Sequence, residues 1–102
     1  MGRASMIGGD VRHRALIRII RARSLTPGDR ILTLDLVERK QGGRVERVKH
    51  WIVWIIKSKE TFGSAVVLHL TRNGVEGNVK SKLMVTPPDS YQKRLIGWIE
   101  EN

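Results

Sequence analysis

Cysteine is absent from this 102-residue chain, which excludes a disulfide framework, a zinc-thiolate centre and a thiol nucleophile. Long apolar runs are absent too. The longest, Trp51 to Ile56, falls far short of the roughly 20 residues that a helix needs to cross a bilayer. The opening residues Met1 to Gly9 lack the apolar core of a signal peptide. These features predict a soluble, cytoplasmic protein. Acidic side chains are in short supply, with 10 Asp and Glu against 19 Lys and Arg, and none between Val11 and Gly28. No phosphate-binding glycine loop, nucleophile elbow or zinc cluster occurs. His13, His50 and His69 stand at no metal-ligand spacing, so neither a metal nor a cofactor is expected. Glu38-Arg39-Lys40 matches a fragment of a nuclease site, but it lies at a hairpin turn with no suitably placed aspartate before it. The chain reads as a binding protein and not as an enzyme.

What is present is positive charge. A formal +9 on one small domain repels itself unless the protein meets anions, of which nucleic acid is the commonest. No repeat, linker or low-complexity segment divides the chain, which reads as a single nucleic-acid-binding domain over 1–102 with a flexible start at 1–9. Arginine outnumbers lysine, isoleucine and valine are plentiful, and asparagine and glutamine are scarce, a mix that leans toward a thermophile.

Gly8-Gly9-Asp10 supplies an entry and an N-cap, and residues 11–24 then read as a helix with Val11, Ala15, Leu16, Ile19 and Ile20 on its apolar arc. Arg14, Arg18 and Arg21 form a stripe on the opposite side. Thr26-Pro27-Gly28-Asp29 predicts a turn. Residues 30–38 and 45–57 read as strands joined by a hairpin at Gly42-Gly43, a pair suited to positive φ. Counting outward from that turn sets Glu38 opposite Arg47, Arg39 opposite Glu46, Asp35 opposite His50, Leu34 opposite Trp51 and Leu32 opposite Val53, so unlike charges and apolar residues meet. Asn73-Gly74 predicts a second two-residue hairpin, pairing Leu70 with Gly77, Leu68 with Val79 and Val66 with Ser81. Thr86-Pro87-Pro88-Asp89 reads as a capping box before a helix from Pro88 to Glu100, with Tyr91, Leu95, Trp98 and Ile99 on its packed face. The expected fold is α+β: a four-stranded antiparallel meander flanked by an N-terminal and a C-terminal helix (αββββα), working as an oligomer.

If both helices cover the leucine face, the opposite face stays open and displays Ile31, Asp35, Val37, Val48, His50, Ile52, Trp54, Val67, His69, Lys80 and Lys82. Such a surface suits a subunit interface, or a platform on which bases stack while cations hold phosphates. The expected nucleic-acid-binding residues are Arg14, Arg18, Arg21, His50, Trp54, His69, Lys80 and Lys82. Trp54 is the expected stacking residue, and Trp51 takes that role if the register is off by one.

The Arg-rich opening helix Val11 to Arg23, the two-hairpin sheet carrying His50-Trp51-Ile52-Val53-Trp54 and the closing Tyr91-to-Trp98 helix resemble the archaeal ThermoDBP-related single-stranded DNA-binding proteins in layout and composition. The resemblance implies sequence-tolerant binding of single-stranded DNA by an assembled dimer or tetramer, with the strand held between subunits. More distantly, the chain resembles transcriptional coactivators whose four strands and a helix dimerise around single-stranded DNA. RNA as the ligand, and a structural or interaction protein that uses the open face only to oligomerise, are the alternatives.

Overall fold

In the computed structural model, described over residues 12–74 and 77–101, the chain is a six-stranded antiparallel sheet with a 3-10 turn at Ala22–Ser24 and no α-helix among the described residues. The strands are β1 (Arg12–Arg21), β2 (Arg30–Gln41), β3 (Arg44–Phe62), β4 (Ala65–Asn73), β5 (Val79–Thr86) and β6 (Tyr91–Glu101), in the spatial order β1-β6-β2-β3-β4-β5. The α+β expectation of a four-stranded meander between two helices is therefore overturned. Both expected helices are strands, and they pair with each other from Arg12 opposite Glu101 to Arg21 opposite Tyr91. The N-cap expected at Gly8-Gly9-Asp10 and the flexible start at 1–9 lie outside the described residues.

The reason lies in a periodicity that fits two structures. Within Arg12–Arg21, Ala15, Ile17 and Ile19 alternate with Arg14, Leu16, Arg18 and Ile20. The β-branched isoleucines favour the pleated alternative. In the closing segment, Tyr91, Lys93 and Leu95 alternate in the same way, and a bulge after Leu95 brings Trp98 back to their side. The expected capping box is a β-turn instead: Ser90 N–H donates to the Pro87 carbonyl at 3.1 Å, and the Thr86 and Ser90 hydroxyls bond to each other.

The first hairpin has the expected register throughout, including Glu38 opposite Arg47, Asp35 opposite His50 and Leu34 opposite Trp51, with Gly42 and Gly43 at φ 59° and 77°. The second does not. Its strands pair Leu70 with Lys82, Leu68 with Met84 and Val66 with Thr86, around a loop longer than a two-residue turn. Against the expected register β5 has slipped by five residues, an odd number, which exchanges its two faces relative to β4. The turn at Thr26–Asp29 forms as expected, with Asp29 N–H donating to the Thr26 carbonyl and Gly28 at φ 95°.

The covered face is also the reverse of the one expected. With no helix available, the sheet coils around its own inner face, which carries Ile31, Trp54, Ile56, Val66, Leu68 and Leu70, all at or below 5% exposed. Leu25, completely buried, joins them from the segment after β1, with Ile20, Ile52 and Met84 at the margin. The antiparallel pairings make β5 and β6 run in the same direction, so the Pro87–Ser90 turn is a corner in one bent strand and not a hairpin. That corner meets the 3-10 turn Ala22–Ser24 through Ala22 N–H to Ser90 O and Arg23 N–H to Pro88 O. Lys59 closes the same end by donating to the Arg23 and Leu25 carbonyls. No helix among the described residues is long and apolar enough to cross a membrane.

Candidate functional site

Burial removes Trp54 from the set of ligand contacts. Its indole is 5% exposed on the inner face, and Nε1 donates to Asp35 Oδ2 at 3.0 Å. Thr33 Oγ1 donates to the same oxygen at 2.9 Å, and Lys82 Nζ donates to Asp35 Oδ1 at 2.8 Å. The Arg72 guanidinium lies 5.0 Å from the Trp54 ring centroid and the Lys82 ammonium 5.7 Å, so two cations sit against one buried indole. Partial burial works against ionisation of Asp35, but the bonds from Lys82, Trp54 and Thr33 outweigh it and hold the carboxyl below its ordinary pKa. Asp35 is thus engaged as a strut by Trp54, Thr33 and Lys82. Lys82 belongs to the same strut.

The other expected site residues are dispersed. Arg14 and Arg18 are exposed on β1, at the edge of the sheet opposite to that occupied by Lys80 and Lys82. Arg21 is tied at the start of the corner, with Asp89 at 3.6 Å and the Tyr91 hydroxyl at 3.4 Å. The hydrogen bond to Tyr91 and the charges of Tyr91 and Asp89 raise its pKa. His69 bonds Glu60 at 3.0 Å across β4 and β3, and His50 and Lys80 are exposed.

The open surface is the outer face, the one carrying the leucines. Trp51 stands there 55% exposed, opposite Leu34 in the hairpin, because it alternates with buried Trp54 through an odd number of residues. The Lys93 ammonium lies 5.3 Å from the Trp51 ring centroid. β6 brings Lys93 there by pairing it with Leu32 of β2 and Ile19 of β1. A shallow groove of about 460 Å³ runs between Trp51 and Trp98 over Ala15, Ile17, Leu32 and Val53. Trp98, expected as helix core, is 50% exposed. Tyr91, 63% exposed, carries the Arg21 guanidinium 5.7 Å from its ring centroid on the same strand pair. Aromatic rings and cations thus interleave along one side of β6 and β3.

The sequence reading sets Tyr91 and Trp98 on the packed face of a helix from Pro88 to Glu100 and misses Lys93, although the Tyr91, Lys93, Leu95 alternation was there to be read. Among the described residues no group of three or more His, Asp or Glu could hold a metal ion. Comparison with protein-family models, with curated proteins and with solved structures finds no match to this chain.

Proposed function

We propose that this protein binds single-stranded nucleic acid, DNA in the first instance, across the outer face of its sheet, with little dependence on sequence. The observation that carries the reading is the half-exposed Trp51 with Lys93 over its ring and Trp98 in the same groove. Every base presents a π face to such rings, and nearby cations meet the phosphates. The net charge of +9 supports a polyanionic ligand. In this reading Trp51 takes the stacking role and Trp54 belongs to the core.

A specific observation favours a second reading of the same face, as a contact between copies. Leu34, Leu36, Ile55, Leu83 and Val85 are 44–67% exposed and extend the apolar surface beyond the aromatic groove. The two readings part in one experiment. Tryptophan fluorescence is followed during titration with a 20-nucleotide oligonucleotide, while light scattering follows mass. Stacking predicts quenching, and Trp51→Ala should weaken binding by roughly tenfold, as expected for one lost base contact. Unchanged affinity in Trp51→Ala together with a lower oligomeric mass would discard the stacking role and leave the subunit contact.

A further inference from the structure

β2 and β3 outrun their neighbours. β6 pairs with β2 only at Ile31 and Leu32, and β4 meets β3 only from Ile55 onward, whereas β2 and β3 pair with each other out to Gln41 and Arg44. Asp35 is still held by Lys82. Beyond it the hairpin stands as a two-stranded ribbon, six residue pairs from Leu36–Lys49 to Gln41–Arg44, reaching roughly 20 Å at the usual rise per residue. Residues 38–47 are exposed on both strands. This projecting ribbon carries Arg39, Lys40, Arg44, Arg47 and Lys49 against only Glu38 and Glu46.

Register distributes those cations over both faces. Arg39 and Arg44 lie on the inner-face side, while Lys40, Arg47 and Lys49 lie on the outer. The Arg39–Glu46 pair, at 3.5 Å and at least half exposed on each side, is too solvated to neutralise the group. An element laid flat on a ligand needs charge on one side only. One that is basic on both sides suits a position between two walls of phosphate, and the major groove of a duplex admits a two-stranded ribbon.

We infer that the β2–β3 ribbon is a second nucleic-acid site, which enters the groove of duplex DNA through Lys40, Arg44, Arg47 and Lys49, separate from the Trp51 groove. The inference takes from the proposed function only the chemical class of the ligand. Its test uses a labelled 30-base-pair duplex and the matching single strand at several salt concentrations. Wild type is compared with Lys40→Gln/Arg44→Gln/Lys49→Gln, with an off-ribbon control Arg18→Gln/Lys57→Gln/Lys80→Gln, and with Trp51→Ala, all checked for an unchanged thermal midpoint. The ribbon variant should lose tenfold or more in duplex affinity, and its slope of log affinity against log salt should be shallower by about 2.7 for three lost phosphate contacts. Trp51→Ala should bind duplex as wild type does. No duplex binding by wild type, equal losses in the ribbon variant and the off-ribbon control, or an unchanged slope in the ribbon variant would each overturn the ribbon site. The single-strand arm, read by Trp51→Ala, reports separately on the stacking groove.

Discussion

Asp35 and Lys82 lie 47 positions apart in the chain, yet their carboxylate and ammonium approach to 2.8 Å and tie the root of the β2–β3 hairpin to the edge strand β5. The carboxylate side chain is 18% exposed and also accepts from Trp54 and Thr33, so its loss strands several donors at once. Asp35→Ala should destabilise the fold by roughly 1–3 kcal/mol, the cost of leaving buried donors unpaired. Urea unfolding followed by far-ultraviolet circular dichroism measures this.

The same carboxylate gives stability a pH dependence of definite sign. Its folded pKa is below its unfolded value, so the stabilisation is complete above the unfolded pKa, about 3.9, and is lost as pH falls through the folded value. Acidification from pH 5 to pH 2 should lower the urea midpoint of the wild type. Asp35→Asn should show a smaller fall over that interval, because it keeps an acceptor but no longer titrates there.

The two tryptophans of the hairpin should respond in opposite ways to truncation. Trp54→Ala opens a large void in the core and should cost about 3–5 kcal/mol, enough to unfold a small domain at ordinary temperature. Trp51→Ala removes a half-exposed ring and should change the unfolding midpoint little. Paired denaturation curves decide the matter, and equal destabilisation by the two would contradict the assignment of inner and outer faces.

At the hairpin tip, Gly42 and Gly43 have φ of 59° and 77°, a backbone region that costs L-residues about 1–2 kcal/mol each. No atom comes within 4 Å of a Cβ built at either position, so the penalty for alanine there is one of backbone conformation alone. Gly42→Ala/Gly43→Ala should therefore speed amide exchange in residues 36–49 while leaving protection in β4 unchanged. This separates local opening of the ribbon from global unfolding.

How far the sequence foretold this depends on which residues are asked. The β2–β3 register was legible because a glycine turn, two unlike-charge pairs and two apolar pairs all agreed on it. The Asn73-Gly74 turn had no such support. Lys80 and Lys82 could be set against polar or apolar neighbours, and a longer loop moved them from the Val67 and His69 side of β4 to the Leu68 and Leu70 side. The arginine segment was ambiguous for a different reason. Arg14 and Arg18 share a face at helical spacing and at strand spacing alike, so charge could not discriminate, and only the isoleucines leaned toward strand. The exposed partner of the Trp51–Trp54 pair was misjudged because the cover for the sheet was sought in helices, whereas the sheet provides its own by coiling. The aromatic and basic surface was therefore expected on the correct strand and on the wrong side of it.

The pairing of β1 with β6 sets an order of assembly. Strands β2 to β5 meet chain neighbours in sequence, but β1 finds its partner among the described strands some 80 residues onward, from Arg12 opposite Glu101 to Arg21 opposite Tyr91. Contacts of such long range carry a heavy loop-closure cost and slow the folding of β-rich chains. Until the bent strand turns its corner at Pro87-Pro88, the arginine-rich β1 lacks the partner strand β6, so its docking is expected late in folding.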